Sequence, residues 1–220
     1  IAEDEHIKRF LGIDSNGLLL GNIPFHNVQM KPNLSKLLQK HLAILAMSGA
    51  GKSYCVSVLL EELLNRKKEN GQIAIVAFDT HGEYACFGEP SNNAKDFSSK
   101  TKVVNGKDVK IALSNITKSM LSSIFPKITP VQKRELFRII SRLKEEMKSG
   151  VGPFNLGAVK AEVQNLDEKT AFPLLSVISD LERLNLFGKI DSPNVDDLAK
   201  QGQLTVVDLN GIINEKKKQL

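Results

Sequence analysis

The chain has 220 residues, of which 41% are hydrophobic and 25% are charged. This is the composition of a globular chain of one large or two small domains. Its longest uninterrupted apolar runs, residues 42–47 and 73–78, are far shorter than the ~20 residues that a bilayer-spanning helix needs. The net charge of +5 arises from 30 basic and 25 acidic residues, which permits a polyanionic partner without requiring one.

Two cysteines, Cys55 and Cys86, are too far apart for a CxxC motif and too few for a disulfide scaffold. We therefore expect a cytoplasmic protein in a reducing compartment, with both thiols buried and inert. The chain opens with Ile1 and has no basic-then-apolar signal pattern. This favours a chain that is trimmed, or only partly observed, over one that is targeted for export.

The first half of the chain predicts a β-α-β unit. Residues 1–32 are rich in turn formers around two short apolar stretches, which predicts small β-structure or an extended arm. The segments that follow are a strand covered on both faces over residues 41–47, an amphipathic helix over 54–68, a buried strand over 73–78, and a strand or hairpin over 102–104 and 109–113.

The second half is mainly helical. Helical periodicity appears over residues 120–125, 130–148, 159–166 and 172–186. A last strand is predicted over 204–207, directly before Asp208. Apolar strands that alternate with helices predict an α/β fold with a mostly parallel sheet, interrupted by a helical insertion.

Residues 46–53 read Ala-Met-Ser-Gly-Ala-Gly-Lys-Ser, between a predicted strand and a predicted helix. Gly49 and Gly51 allow a sharp turn whose N–H groups converge on a phosphate, and the helix adds its positive end. Lys52 reaches the β and γ phosphates, and the Ser53 hydroxyl is a ligand for Mg²⁺. The residues that we predict to bind the nucleotide are Ser48, Gly49, Ala50, Gly51, Lys52, Ser53 and Tyr54.

The motif departs from the Walker A pattern at its first glycine, where the chain has Ala46. Because alanine avoids positive φ, the loop must begin with a negative φ or bind its phosphate more weakly. The competing interpretation of the segment is a chance glycine turn between a strand and a helix.

A nucleotide site also needs an acid at a neighbouring strand end. Asp79 ends the second strand and is followed by His81 and Glu83. In a parallel sheet these residues lie at the same edge as the phosphate loop. We expect Asp79 to join Ser53 as a Mg²⁺ ligand, and the catalytic residues to be Lys52, Glu83 and Asp79.

Three alternatives stay open for the roles of these residues. The two acids could instead cap a helix and line a solvated turn. His81 could bind zinc, although Cys86 is its only nearby soft partner. Asp208 is a rival Mg²⁺ ligand, but no acidic residue directly follows it.

These motifs, in this order and spacing over about residues 17–213, resemble the HerA branch of the HerA/FtsK superfamily of ATPases, especially archaeal members. The resemblance is carried by the 41–53 run, by Leu-Leu-Glu-Glu-Leu-Leu at 59–64, by Asp-Thr-His-Gly-Glu-Tyr at 79–84, and by Val-Val-Asp-Leu at 206–209. The 79–84 element makes the match far more specific than the phosphate loop alone.

The resemblance implies a hexameric, ATP- and Mg²⁺-dependent translocase or helicase on double-stranded DNA. It also implies a RecA-like core, a role in DNA end processing and repair, and a NurA-type nuclease as partner. Residues 1–32 would then be the remnant of an N-terminal β-barrel and its linker. Residues 33–220 would be an incomplete ATPase core with a helical insertion over about 114–190.

In that family the Walker B acids, the sensor residue and the arginine finger lie beyond the strand that corresponds to residues 204–207. We therefore expect the isolated chain to bind nucleotide with little hydrolysis. A DNA contact is suggested by Arg134, Arg138 and Arg142, which line one face of a predicted helix. The competing interpretation is a solvated face that is offset by neighbouring acids, namely Glu135, Glu145 and Glu146.

Two other functions remain open on the sequence. One is a P-loop kinase of a small metabolite, which the length suits and which needs no ring. The other is a nucleotide-binding scaffold without turnover, which Ala46 and the missing Walker B acids favour. A guanine-nucleotide switch is disfavoured, because no NKxD-like tetrapeptide occurs.

Overall fold

The computed structural model describes residues 3–92, 95–124 and 128–212. Its α-helices in chain order are α1 (Asp4–Leu11), α2 (Leu34–Leu38), α3 (Lys52–Asn65), α4 (Lys118–Ile124), α5 (Pro130–Glu146), α6 (Leu156–Gln164), α7 (Glu168–Leu184) and α8 (Val195–Leu198). Its strands are β1 (Gly21–Asn22), β2 (Gln29–Met30), β3 (Ile75–Asp79), β4 (Thr101–Asn105), β5 (Ile111–Ala112), β6 (Phe187–Gly188) and β7 (Leu204–Asp208).

The central sheet has the strand order β3-β7-β4. Gly202 donates to the Ile73 carbonyl, and Ile75 donates to the Gln203 carbonyl, each at 3.0 Å. Because these bonds advance in the same direction along both segments, β3 and β7 run parallel. The middle strand β7 is buried over residues 204–207, including the polar Thr205, as expected for a strand inside a parallel sheet. The predicted α/β fold is confirmed.

The chain divides into two compact units, and the first comprises residues 1–103 and 199–206. A small core in this unit contains Leu60 and Leu64 of α3, Phe97, and Leu204 and Val206 of β7. The amphipathic stripe of α3 thus packs one face of the helix against the sheet. This packing fixes the start of α3, where the glycine-rich loop ends.

The second unit comprises residues 104–198 and 207–220, and its core is built by the helical segment. Helix α5 begins with a reciprocal capping box, in which Thr129 and Gln132 each pair a side chain with the other's backbone N–H. Its buried stripe packs with α6 and α7, whose Val159, Leu174 and Ile178 have no exposed surface. The helices agree with the predicted periodicity, although residue 125 of the first predicted helix lies outside the described residues.

The prediction of a buried strand over residues 41–47 is wrong. The structure assigns no strand there, and Leu42, Leu45 and Met47 are 44%, 91% and 85% exposed. An apolar run becomes a strand only where a neighbouring strand accepts its backbone hydrogen bonds. Among the described residues, β7 already has a neighbour on each side and this run pairs with none.

Two smaller predictions also need correction. Residues 1–32 contain the helix α1 as well as the β1/β2 hairpin, in which Gly21 pairs with Met30. Helix α1 has acidic residues in its first turn and basic residues in its last turn, which suits the helix dipole. Gly12, at φ +61°, ends this helix. Cys55 and Cys86 are exposed, not buried, because Cys55 lies off the buried stripe of α3 and Cys86 lies in a surface turn.

No described helix combines the length and the apolar character that crossing a bilayer requires.

The fold makes Ile178 a sensitive position for stability. Replacing it with alanine deletes side-chain atoms at a site with no exposed surface, so we expect Ile178→Ala to lower the free energy of unfolding by about 2–5 kcal/mol. Urea denaturation followed by circular dichroism measures the change. The matched control is Ile190→Ala in the same unit, where the side chain is 65% exposed and the loss should stay below about 1 kcal/mol. Equal losses in the two variants would contradict the proposed core.

Candidate functional site

The glycine-rich loop reaches α3 through two left-handed residues. Gly49 has φ +77°, and Gly51, the N-cap of α3, has φ +86°. Nothing lies within 4 Å of a Cβ built at either position, so the requirement for glycine comes from the backbone conformation and not from crowding. The loop therefore keeps open space above it.

The backbone N–H groups of this loop are largely unpaired. Ala50 donates to the Met47 carbonyl at 3.1 Å, and Cys55 donates to the Gly51 carbonyl at 2.9 Å. Within the described part of the chain, no protein acceptor pairs with the N–H groups of Ser48, Gly49, Gly51, Lys52 and Ser53. Together with the positive end of α3, these donors form an anion-binding site.

Glu83 lies directly beside the last residue of the motif. The Ser53 hydroxyl is 2.8 Å from one carboxylate oxygen of Glu83 and 2.9 Å from the other. The two residues are 30 positions apart in sequence, and the fold joins the helix start to the turn after β3. This pair places a hydroxyl and a carboxylate at the same point of the site.

Asp79 builds the turn that carries Glu83. Its carboxylate accepts backbone hydrogen bonds from His81, Gly82 and Tyr84 at 3.2, 2.8 and 2.7 Å. The side chain is buried, with 2% of the residue exposed. A carboxylate with three backbone donors is a strong local organiser, so Asp79 fixes the path of residues 80–84.

The charges around this turn shift two pKa values. Burial raises the pKa of Asp79, but the backbone donors of the turn lower it by more, so the net shift is below the usual 3.8. Burial raises the pKa of Tyr84, the negative charge of Glu83 raises it further, and a hydrogen bond with Ser53 opposes both. At neutral pH, Asp79 is therefore ionised and Tyr84 is neutral.

These elements enclose a cavity of about 580 Å³. Its walls contain six of the seven residues predicted to bind the nucleotide, and Ala50 is the exception, because its N–H group turns back to Met47. Glu83 and His81 also line the cavity, whereas Asp79 does not. Met47 also lines the cavity, although the apolar pattern of residues 41–47 predicts it in a buried strand.

Two features of the loop bear on its fit to a phosphate. Outside glycine, the described residues with positive φ are Phe25 and Asn185. Ala46 is not among them, so the loop begins without the conformation that alanine avoids. The Lys52 side chain has no ion-pair partner among the described acids, and it lines the cavity.

The arginine stripe of α5 is neutralised by neighbouring carboxylates. Arg138 lies 2.9 Å from Glu135, and Arg134 lies 3.4 Å from the same side chain. Arg142 pairs with Glu146 at 3.6 Å and also with Glu162. These ion pairs support the interpretation of a solvated, charge-balanced face.

The described residues hold no group of three or more His, Cys, Asp or Glu side chains that could enclose a metal ion. A structural zinc site needs four ligands. His81 and Cys86 have no third or fourth ligand in that part of the chain. A cation that uses few protein ligands together with phosphate oxygens, as Mg²⁺ does, remains compatible with Ser53 and Glu83.

A parallel sheet, a glycine-rich loop and a following helix whose Lys-Ser pair lines the cavity define a P-loop nucleotide-binding fold. The fold comparison agrees with this class. VirB4 of Thermoanaerobacter pseudethanolicus superposes with a TM-score of 0.60 at 15% sequence identity, over 94% of this chain and 61% of that chain.

Sequence comparison then shows the family. The family model described as "Helicase HerA, central domain" matches residues 18–220, and the chain belongs to that family. The DNA double-strand break repair helicase HerA of Saccharolobus solfataricus is 26% identical over 226 residues, and that of Sulfolobus acidocaldarius is 28% identical over 228. These alignments cover 94% and 96% of this chain but only 41% and 42% of the relatives.

Asp79 makes stability depend on pH. Because its folded-state pKa lies below 3.8, its stabilising effect is complete above that pH and is lost as pH falls through the lowered value. We expect Asp79→Asn to lower the free energy of unfolding at neutral pH by about 1–3 kcal/mol. The NH₂ group of the asparagine side chain cannot accept a hydrogen bond, so at least one backbone N–H of the turn loses its acceptor. The variant should also lose part of the wild-type decline in acid.

Urea denaturation between neutral pH and about pH 3 measures both effects. Asp180→Asn is the control, because that half-exposed aspartate on α7 pairs with Arg183 at 3.5 Å and holds no turn of the described backbone together. It should keep the wild-type acid profile. An Asp79→Asn profile that is parallel to the wild type would rule out this account of the turn.

Proposed function

We propose that this chain is the nucleotide-binding part of an ATP-driven DNA translocase or helicase of the HerA type. The observation that carries the proposal is the single cavity in which the unpaired loop amides, Lys52, Ser53 and Glu83 come together. Membership of the HerA central-domain family supports the DNA motor over a small-metabolite kinase or an inert scaffold. Because the chain spans only about two fifths of its relatives, the activity belongs to the longer protein.

In this proposal the loop amides hold the phosphates and Lys52 adds a point charge at the β and γ groups. The Ser53 hydroxyl holds Mg²⁺, which neutralises charge on the phosphate oxygens when it is bound. The fit is supported by the position of Ser53 in the cavity wall beside an anionic side chain. Asp79 does not fit the role of a ligand, because its carboxylate is buried and engaged with the backbone.

Glu83 is the residue that we assign to water activation. Its carboxylate is exposed in the cavity and is held near Ser53. From this position it can accept the proton of a water molecule that attacks the γ-phosphorus, as the bond to the β-phosphate oxygen breaks. Asp79 then serves as a positioning residue that acts through the turn.

Ring assembly, movement along double-stranded DNA, DNA end repair and cooperation with a NurA-type nuclease are further parts of the proposal. The DNA repair role is supported by the family and by the names of the two HerA relatives. The ring and the nuclease partner rest only on the resemblance of the motifs to the HerA branch. Sizing the full-length protein with and without duplex DNA and a non-hydrolysable ATP analogue tests for a ring. A monomer under all of these conditions would exclude it.

Lys52 tests the nucleotide site itself. Removing its charge should weaken binding of Mg·ATP by about tenfold or more, because a charge-assisted contact to phosphate is lost. Isothermal titration of the chain with Mg·AMP-PNP measures this for Lys52→Ala. Lys68→Ala is the matched control, since Lys68 is exposed outside the cavity. Unchanged affinity in Lys52→Ala would refute the assignment.

Glu83 separates binding from turnover. Glu83→Gln keeps the size of the side chain but removes the base, so we expect DNA-stimulated ATP hydrolysis by the full-length protein to fall by about 100-fold or more. Nucleotide affinity should change little. Glu89→Gln, in the same segment but outside the cavity, should behave as the wild type. If the Glu83→Gln variant still hydrolyses ATP at the wild-type rate, another residue must act as the general base.

A further inference from the structure

Tyr54 is an exposed aromatic residue at the mouth of the phosphate loop. It lies in the first turn of α3, directly after Ser53, and is 76% exposed. Its side chain lines the same cavity as the loop amides. Tyr54 stacks on no other aromatic ring among the described residues, and its 76% exposure leaves the ring open to solvent.

The helix geometry directs Tyr54 toward the ligand but away from Glu83. Side chains on a helix tilt toward its N-terminus, which here is the phosphate loop. Consecutive helical residues are rotated by about 100° around the axis. Because Ser53 faces Glu83, Tyr54 projects from a different side of the helix.

The phosphate end of a nucleotide determines where its base must extend. Lys52 and Ser53 belong to the β- and γ-phosphate end, and Glu83 marks the same end through its contact with Ser53. Two cavity-lining side chains carry rings, Tyr54 and His81. His81 lies on the turn that carries Glu83, so Tyr54 is the ring that remains for the opposite end.

We infer that Tyr54 stacks on the nucleobase and is the base-contacting residue of this site. The inference rests on the proposed function, since it requires a nucleotide in the cavity. An aromatic ring offers a flat apolar surface that stacks on any base face. Stacking on Tyr54 therefore adds affinity for a nucleoside triphosphate without contributing to the binding of its phosphates.

This division of roles is tested by comparing two probes, Mg·AMP-PNP and Mg·tripolyphosphate, by isothermal titration of the full chain. Tyr54→Ala should bind AMP-PNP about 5- to 100-fold more weakly than the wild type, whereas its affinity for tripolyphosphate should not change. Tyr54→Phe keeps the ring and should restore AMP-PNP binding. Phe10→Ala is the control, because Phe10 is another exposed aromatic residue, 90% exposed on α1, outside the cavity.

The outcomes separate the inference from the function. If Tyr54→Ala weakens both probes equally, the ring supports the loop and the inference fails. It also fails if neither probe is affected, or if His81→Ala instead weakens AMP-PNP alone. In each of these cases Lys52→Ala should still weaken both probes, so the proposed nucleotide site would stand. If Lys52→Ala changes neither, the site and the inference fall together.

Fluorescence gives a second readout that needs no turnover. The chain has no tryptophan and two tyrosines, so Tyr84→Phe leaves Tyr54 as the sole tyrosine. Stacking should quench its emission when Mg·AMP-PNP is added, after correction for absorption by the base, but not when Mg·tripolyphosphate is added. Equal responses to the two probes would overturn the inference.

Discussion

The site depends on one buried carboxylate that accepts hydrogen bonds from the backbone. Asp79 ends β3 and gathers the N–H groups of the turn that follows, which brings Glu83 to Ser53. A carboxylate that accepts several backbone bonds stays ionised and holds its turn in one conformation. The acid that looks most like a metal ligand in the sequence thus organises the backbone, and its neighbour four residues later reaches the cavity.

The phosphate loop shows the complementary arrangement, in which donors are left unpaired. A helix start normally pairs its first N–H groups with a side-chain cap, but Gly51 provides none. Gly49 and Gly51 adopt left-handed backbone conformations, which leave most N–H groups of the loop facing solvent. Because exposed donors beside a helix N-terminus favour an anion, local structure that is poor for helix stability is suitable for binding a phosphate. Lys52 and Tyr54 add charge and aromatic surface to this site.

Periodic patterns predicted the fold where they report local burial. The helix α3 with its stripe, the strand β7 and the helices of residues 118–184 all appear where the sequence places them. The prediction failed for residues 41–47, whose pattern records apolar character but not which strand will pair with them. It also failed for Cys55 and Cys86, because burial depends on which face of an element is covered.

The position and conformation of the glycine-rich loop could be predicted from the sequence alone, because they follow from residue types at fixed local spacing: glycines for the turn, then Lys52 and Ser53 at the start of the helix. Spacing also placed Asp79, His81 and Glu83 together after one strand. Which of these acids lines the cavity becomes clear only from the three-dimensional fold. That choice depends on backbone direction after β3 and on hydrogen bonds between residues far apart in sequence, neither of which a linear pattern contains.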